Sequence, residues 1–502
     1  MVMKLPRAHH LSPSEVAGNL VLASIRLDDA NRDGDTVQTA RTLVEHHHIG
    51  GFLIEAGSAA AVRFFTDYLS RIARFPLFFA VEMVPSLVQG DVECTPFPSL
   101  LSIGSIGEHE SLRAVIEALG DEFRAMGLNM VFVPLLNRAI LSRENAIPPP
   151  AYHAEVSRIH QAVTAVREVL TRKGIVPIFQ FVPPLTELSA NLAEQAPSID
   201  TIASHPLLET VIPDSRMYPW AVSLAPAISR STGEPVVFDA NVVQDVVSRM
   251  KMNGVVFTHR LDYSWFEKTA PTPEISRRPI LAGAHCLVSP ARLHLTLHHL
   301  TRAMETDPEF ARKAQRAVDT LFRLKKWIHA RQPAQAHPYR VFRKVHHPRH
   351  RQLARSLAER GIVALKIGKS FGNFIGSTRR IVHYGLSSRA SDMLFHFRHA
   401  LEQKFQDVVW RSGTTEAKGA DTPVSGSDRL LISFATPPDS SQEEGEVLSS
   451  LRNRLNTILA TKLEISVAIF WGFLPPEVLS LVLRAVDTVL FAPDTTPPIQ
   501  AA

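Results

Sequence analysis

Over its first 330 residues the chain alternates short, almost unbroken apolar runs with longer stretches in which apolar residues recur every three or four positions. The apolar runs are LVLAS (20–24), GGFLIE (50–55), LFFAVE (77–82), MVFVP (130–134), VPIFQF (176–181), IDTIAS (199–204), GVVFT (254–258) and AHCLV (284–288). Runs this short and this continuously apolar suit strands buried on both faces, as in a parallel sheet covered by helices. Between them lie TVQTARTLVEHHH, AAAVRFFTDYLSRIA, SLRAVIEALGDEFRAMG and HAEVSRIHQAVTAVREVLTRKG, whose apolar positions share one helical face. Eight such strand–helix units predict a TIM barrel, a (β/α)8 fold, because a doubly wound sheet of this length carries fewer strands.

The pattern changes near the end of this region. From Thr320 to Ala358 there is no acidic residue, while ten Lys and Arg residues and several histidines occur. Two readings stay open. The stretch is a polyanion-binding patch, or it is the solvated last helix of the barrel followed by an exposed basic linker, here placed at 331–349. A second alternation then begins. The strands IVALKIG, RRIVHYG, DVVWRSG, RLLISFA, ISVAIFWG and DTVLFA are interleaved with amphipathic helices, which predicts an α/β sandwich over 350–502. The polar, glycine-rich segment 413–428 reads as a loop. The glycines of GKSFGNFIGS (368–377) lack the spacing of a phosphate-binding loop and read as a loop too.

Composition narrows the setting. Of 502 residues 45% are hydrophobic and 21% charged, the range of an ordinary globular protein of two or three domains. The formal charge of +5 comes from 54 basic and 49 acidic residues, a mixed surface that does not by itself point to nucleic acid. Two distant cysteines, Cys94 and Cys286, give no basis for a disulfide framework or a thiolate metal site. The first residues lack the apolar core of a signal peptide. No run reaches the roughly 18 apolar residues of a membrane span. The expectation is a cytoplasmic protein with no membrane partner and no cofactor. The oligomeric state stays open.

The segment from IGGFLIE to LNMVFVPLLN resembles glycoside hydrolase family 3, which includes bacterial β-N-acetylglucosaminidases and β-glucosidases. Members read G-G-x-I-L-F, then P-L-L-I-A-V-D-Q-E-G-G-R-V, then T-x-F-P-S, then L-G-I-N-V-x-F-A-P-V-L-D. The matching runs here are GGFLIE, PLFFAVE, TPFPS and LNMVFVPLLN. Further on, NGVVFTHRLDYSW resembles the family's D-G-V-V-V-S-D-D-L-D-M, and ILAGAHCLVSP its N-A-G-A-D-M-L-L-M-P. The resemblance spans most of 15–330 and, less specifically, 345–495. It implies a barrel followed by a sandwich domain, and hydrolysis of β-glycosidic bonds.

The residues that would perform that hydrolysis depart from the family pattern. The nucleophile position is His259, the next is Arg260, and only the later aspartate of the motif is kept, as Asp262. The acid/base loop K-H-F-P-G-H-G-D is matched by QFVPPLTE, with Gln180 for the lysine, Phe181 for the first histidine, Pro184 for the glycine and Leu185 for the catalytic histidine. Glu82 stands for the sugar-binding aspartate, Leu87 for the arginine of that loop, and Asn137 for the closing aspartate. Apart from Asp262, only His205 of the usual polar set is intact.

Retaining hydrolysis needs a carboxylate nucleophile about 5 Å from a proton donor. An imidazole beside an arginine cannot balance the oxocarbenium charge, and a leucine transfers no proton. No catalytic residue is therefore assigned. Glu82, Gln180, His205, His259, Arg260 and Asp262 are the expected sugar-binding set, for a ligand of the N-acetylglucosamine or glucoside type. The leading expectation is a family 3-like pseudoenzyme that binds carbohydrate or serves as a scaffold. An active hydrolase with rewired carboxylates, drawn from Glu55, Glu82 and Asp262 at the strand ends, is the alternative. For Asp262 a helix cap or an ion pair with Arg260 stands beside the ligand role. For Glu82 the plainer reading is an ion pair at the barrel mouth. A metal held by His205, His259 and a carboxylate is the least favoured arrangement, since SIRLDD follows the first strand where barrel metallohydrolases place H-x-H.

Overall fold

In a computed structural model the chain divides into two compact units, one built mainly from the first 351 residues and the other mainly from Gln352 onward. The structure describes residues 5–27, 35–83, 91–136, 152–153, 155–182, 196, 198–199, 221–249, 254–331, 340–367, 381–386, 395–405, 408–412, 429–435, 465–471, 482–483, 486 and 488–492.

The first unit is a closed parallel barrel. Its strands are β1 (Val21–Arg26), β2 (Gly51–Gly57), β3 (Phe78–Glu82), β4 (Met130–Val133), β5 (Val176–Val182), β6 (Ala221–Leu224), β7 (Val255–Arg260) and β8 (Cys286–Val288). Each pairs with the next in parallel, and β1 closes the ring by pairing with both β2 and β8. Seven of the eight runs predicted from the sequence supply these strands. The sixth does not. Of IDTIAS only Ile199 lies in a described strand, and it belongs to the two-residue Ser198–Ile199, which pairs with Ile228–Ser229 in a separate sheet. The barrel position is taken by Ala221–Leu224, bonded between β5 and β7. Both runs are apolar, so periodicity cannot choose between them; pairing with two neighbours does.

Around the barrel lie α1 (Pro13–Asn19), α2 (Asp35–Glu45), α3 (Ala59–Ile72), α4 (His109–Ala125), α5 (Val156–Arg172), α6 (Ala240–Arg249), α7 (Thr272–Ala282), α8 (Leu293–Thr306) and α9 (Pro308–His329). Their starts are written in the chain. Ser12 and Glu15 form a capping box at α1, with Pro13 in the first turn. Ser58 caps α3, and Asp307 caps α9 by accepting from the amides of Glu309 and Phe310. The twin glycines of GGFLIE have a packing reason. A Cβ on Gly51 would stand 2.2 Å from the Phe78 carbonyl oxygen, and one on Gly50 would stand 2.6 Å from the Asn19 carbonyl oxygen. Inside the barrel, Phe257 of β7 makes edge-on ring contacts with Phe78 of β3 and Phe132 of β4, at 6.4 and 6.0 Å between centroids.

The basic stretch 320–358 is not one surface. Its first part is the end of α9, where Leu321, Phe322, Leu324, Lys325 and Ile328 are buried. The segment expected as a linker contains α10 (Arg340–Lys344), which packs on α3 and α4, with Val341 buried. The following α11 (Pro348–Gly361) places the His350 ring nitrogen 2.7 Å from the buried Glu122 carboxylate, which also accepts from the Thr95 amide and hydroxyl.

The second unit carries a six-stranded sheet. Its strands are β9 (Val363–Lys366), β10 (Ile381–Leu386), β11 (Val408–Ser412), β12 (Arg429–Ala435), β13 (Ile465–Trp471) and β14 (Thr488–Ala492), in the order β9-β14-β13-β12-β10-β11. All these pairings are parallel except that of β9 with β14. Each matches a run predicted from the sequence. Helix α12 (Phe395–Lys404) lies in the same unit.

Candidate active site at the barrel mouth

Sites in this fold form at the C-terminal ends of the strands. Glu55 sits near the end of β2, Glu82 closes β3, Gln180 lies late in β5, and His259 and Arg260 close β7, with Asp262 two residues on. The strand register lets these side chains converge. Pairing between β7 and β8 slips between Phe257 and Arg260, an irregularity of the kind that re-aims a side chain. Strand β7 is held there from both sides. The Thr258 hydroxyl accepts from the Val288 amide at 2.9 Å, and the Thr258 carbonyl accepts from the Ser223 hydroxyl at 3.1 Å.

Arg260 is the centre of the cluster. Its guanidinium bonds Asp262 through two nitrogens, with Nε donating to Oδ1 at 3.1 Å. The same group is ion-paired with Glu55 without a hydrogen bond to its buried Oε1, and its other terminal nitrogen lies 3.6 Å from Glu82 Oε2. Gln180 Nε2 donates to the remaining oxygen of Glu82 at 3.1 Å. Three carboxylates therefore share one cation. Glu82 and Asp262 approach the same planar fork from different nitrogens.

Electrostatics sorts the members. Burial works against the charge on Arg260, but the Asp262 hydrogen bonds and the charges of Glu82, Asp262 and Glu55 more than offset it, so the guanidinium stays protonated. Burial raises the Glu82 carboxyl above the usual carboxylate range, opposed by Arg260 and Gln180. His259 is buried, at 3% exposure, and burial followed by repulsion from Arg260 lowers its pKa to about 3, so the ring is neutral at physiological pH. The Tyr263 ring packs against it at 5.2 Å. Burial also raises the Tyr263 hydroxyl, keeping it a neutral donor or acceptor.

Five of the six expected site residues thus meet at the mouth. The sixth, His205, lies outside the described residues, as do Leu87, Asn137, Pro184 and Leu185. Asp262 is an ion-pair partner of Arg260, and the short helix that follows starts from Tyr263 with no side-chain cap. Two features of the mouth escape the sequence. One is the Tyr263 ring on His259. The other is the hydrogen bond between Ser24 of β1 and Ser289, whose φ of 49° marks a left-handed turn after β8. The only sequence signal for the second was a serine before proline at a strand end. Among the described residues no group of three or more His, Cys, Asp or Glu side chains is placed to hold a metal ion.

A family-level sequence comparison decides the lineage of this mouth. The family described as "Glycosyl hydrolase family 3 N terminal domain" matches residues 17–323. The chain belongs to glycoside hydrolase family 3. No curated protein sequence matches it. Among solved structures, a β-glucoside phosphorylase bound to 2FGlc is similar with a TM-score of 0.76 at 15% identity, covering 98% of this chain and 91% of that one. A family 3 β-N-acetylglucosaminidase from Paenibacillus sp. is similar with a TM-score of 0.73 at 17% identity, covering 98% and 95%. A β-glucosidase from Listeria innocua in complex with isofagomine gives a TM-score of 0.70 at 14% identity, covering 99% and 73%. At these identities the family 3 fold is shared, and the chemistry of the mouth has to be argued from its own residues.

Proposed function

We propose that this family 3 chain binds a carbohydrate at its barrel mouth without hydrolysing it. The observation that carries the reading is Arg260, a permanent cation hydrogen-bonded to Asp262 and ion-paired with Glu55 and Glu82, next to the position where the family pattern places the nucleophile. Glycoside hydrolysis passes through a positively charged oxocarbenium-like state, flanked by a free carboxylate and a proton donor. A guanidinium among the carboxylates opposes that charge, and its two hydrogen bonds to Asp262 occupy lone pairs that would attack or activate water. His259 is neutral and buried, so it supplies no compensating charge.

Binding needs less. Glu82 and Asp262 keep 22% and 28% of their side chains exposed, so sugar hydroxyls have acceptors to donate to, and Gln180 adds an amide. The structural relatives bound to 2FGlc and isofagomine support a glucose-sized ligand, of the glucoside or N-acetylglucosamine type. The test is thermal stabilisation against a panel of mono- and disaccharides, since a ligand that binds only the folded state raises Tm. A saturable rise with glucose, N-acetylglucosamine or their β-linked disaccharides, reduced by Asp262→Asn, is expected. No rise with any member contradicts the binding half of the reading.

A second reading has its own observation. Glu82, whose carboxyl burial raises, and Asp262 share Arg260 at the mouth, and an inverting pair works at roughly 6.5–9.5 Å. Glu82 would then be the acid and Asp262 the base. Turnover of an aryl β-glycoside that disappears in Glu82→Gln would favour it.

A further inference from the structure

The opposite end of the barrel holds a cavity of about 420 Å³ lined by Arg63, Arg124, Lys173, Lys325, His329 and Arg331, with Asp67 the one acidic residue among its walls. The floor is built from the turns that lead into β3, β4 and β5, including Pro76, Asn129 and Ile175, and from the end of α9. Three of the basic residues come from the acid-free stretch that begins at Thr320, so that run of charge has a place in the fold that the mouth does not use.

The cations differ in how they are satisfied. Arg63 is paired with Asp67 at 2.7 Å, and Lys173 with Glu117 at 3.0 Å and with Asp121. Arg331 stacks over the Trp327 ring at 4.3 Å, and neither it nor Arg124 has a carboxylate within ion-pair distance among the described residues. The buried Lys325 nitrogen donates to Asn19 Oδ1 at 2.7 Å and lies 5.0 Å from the Phe78 ring centroid, again without a carboxylate within that distance among the described residues.

Helix C-termini converge on this end, and a basic residue in a last turn answers the local dipole. Arg124 closes α4 and fits that role alone. It does not account for Lys325, which is set into the wall, or for Arg331, which lies past the end of α9. A cavity of this volume falls within the range of small-molecule sites, and guanidinium forks match phosphate oxygens in pairs.

We propose that this cavity is a binding site for a small phosphorylated molecule, separate from the sugar site at the mouth. A single phosphate fills only part of the space, so the occupant carries an organic body of about monosaccharide size. Arg124 and Arg331 contact the phosphate, Lys325 supplies charge from behind, and Arg63 and Lys173, each already paired with carboxylates, complete the wall. Burial lowers the Lys325 ammonium to about 7, so an anion in the cavity also restores its full charge.

The experiment is isothermal titration of the full chain with glucose 6-phosphate, inorganic phosphate and glucose, repeated with the Arg124→Ala/Arg331→Ala double variant and with Asp262→Asn at the mouth. Both sites of substitution in the double variant face the cavity, and its fold is checked by thermal melting and by its unchanged response to the sugars that bind at the mouth. Expected are saturable binding of glucose 6-phosphate, weaker competing binding of inorganic phosphate, and loss of at least tenfold in affinity in the folded double variant but not in Asp262→Asn. Binding that the double variant retains, or that Asp262→Asn removes, would place the phosphate elsewhere and overturn the proposal. So would the absence of binding for both phosphate probes at millimolar concentration. Tighter binding of inorganic phosphate than of glucose 6-phosphate would contradict an occupant with an organic body. If the mouth binds no sugar at all, the phosphate arm still reads out independently.

Discussion

At the residue scale, Arg260 sets the character of the mouth. A carboxylate in its place would join Glu55, Glu82 and Asp262 in a cluster of negative charge; the guanidinium instead holds the three together. Removing it leaves three carboxylates facing one another with only Gln180 as a donor to one of them. Arg260→Ala is expected to lower stability by roughly 2–3 kcal/mol at pH 7, less than the 3–5 kcal/mol typical of a fully buried pair because the mouth is partly open to solvent. The loss should shrink toward pH 4 as Glu82, whose carboxyl burial raises, takes up its proton. Urea unfolding at the two pH values checks both size and direction, and an equal loss at both would mean that packing, not charge, is what Arg260 contributes. His259 and Arg260 were visible in the sequence as replacements, because the surrounding GVVF and LD of the motif fixed their positions. Their partners were not. That Arg260 reaches Glu55 across the mouth depends on strand register and on the slip beside Phe257, neither of which leaves a mark in the order of residues.

At the element scale, most of the architecture is legible because a strand buried on both faces must be apolar throughout. Seven barrel strands and the six strands of the second unit follow from that rule. The sixth barrel strand fails for a physical reason: AVSL is only four residues long, shorter than the competing IDTIAS, and what selects it is hydrogen bonding to β5 and β7. Glycine positions carry a different lesson, since GG before FLIE marks a close backbone approach that only the packed structure shows. The Gly51 Cα lies so near the Phe78 carbonyl that a methyl group would force β2 and β3 apart. Gly51→Ala should therefore cost more than about 3 kcal/mol or prevent folding altogether, through strain in a packed core. Gly233→Ala is the control: a Cβ there meets nothing within 4 Å, so only its φ of +70° costs anything. Melting temperatures and soluble yield of the two variants compare them. Similar values would show that the β2–β3 contact is not tight.

At the scale of the whole molecule, each unit holds a buried neutral histidine. His259 in the barrel and His383 in the second unit both have pKa values lowered by burial to about 3. Unfolded, each would titrate near 6.5. The folded state thus refuses a proton that the unfolded chain accepts, and stability falls as pH drops below about 6.5, by up to about 1.4 kcal/mol per pH unit for each histidine. Urea midpoints should be lower at pH 5 than at pH 7, and His259→Gln should reduce the dependence of the barrel transition without abolishing it, since burial also lowers His285 there to about 4. Constant midpoints over that range would contradict the assignment of these rings as buried and neutral.

The same scale holds the question of activity. Family membership rests on residues 17–323 and the barrel, while the chemistry rests on a few side chains at its mouth. No helix among the described residues is long and apolar enough to cross a membrane. The decisive measurement is aglycone release from aryl β-N-acetylglucosaminide and aryl β-glucoside by the purified full chain. A barrel mouth whose carboxylates are tied to Arg260 predicts release no faster than the uncatalysed blank, with sugar binding intact. Sustained turnover that Glu82→Gln or Asp262→Asn abolishes would contradict it and make this chain an active hydrolase with relocated carboxylates.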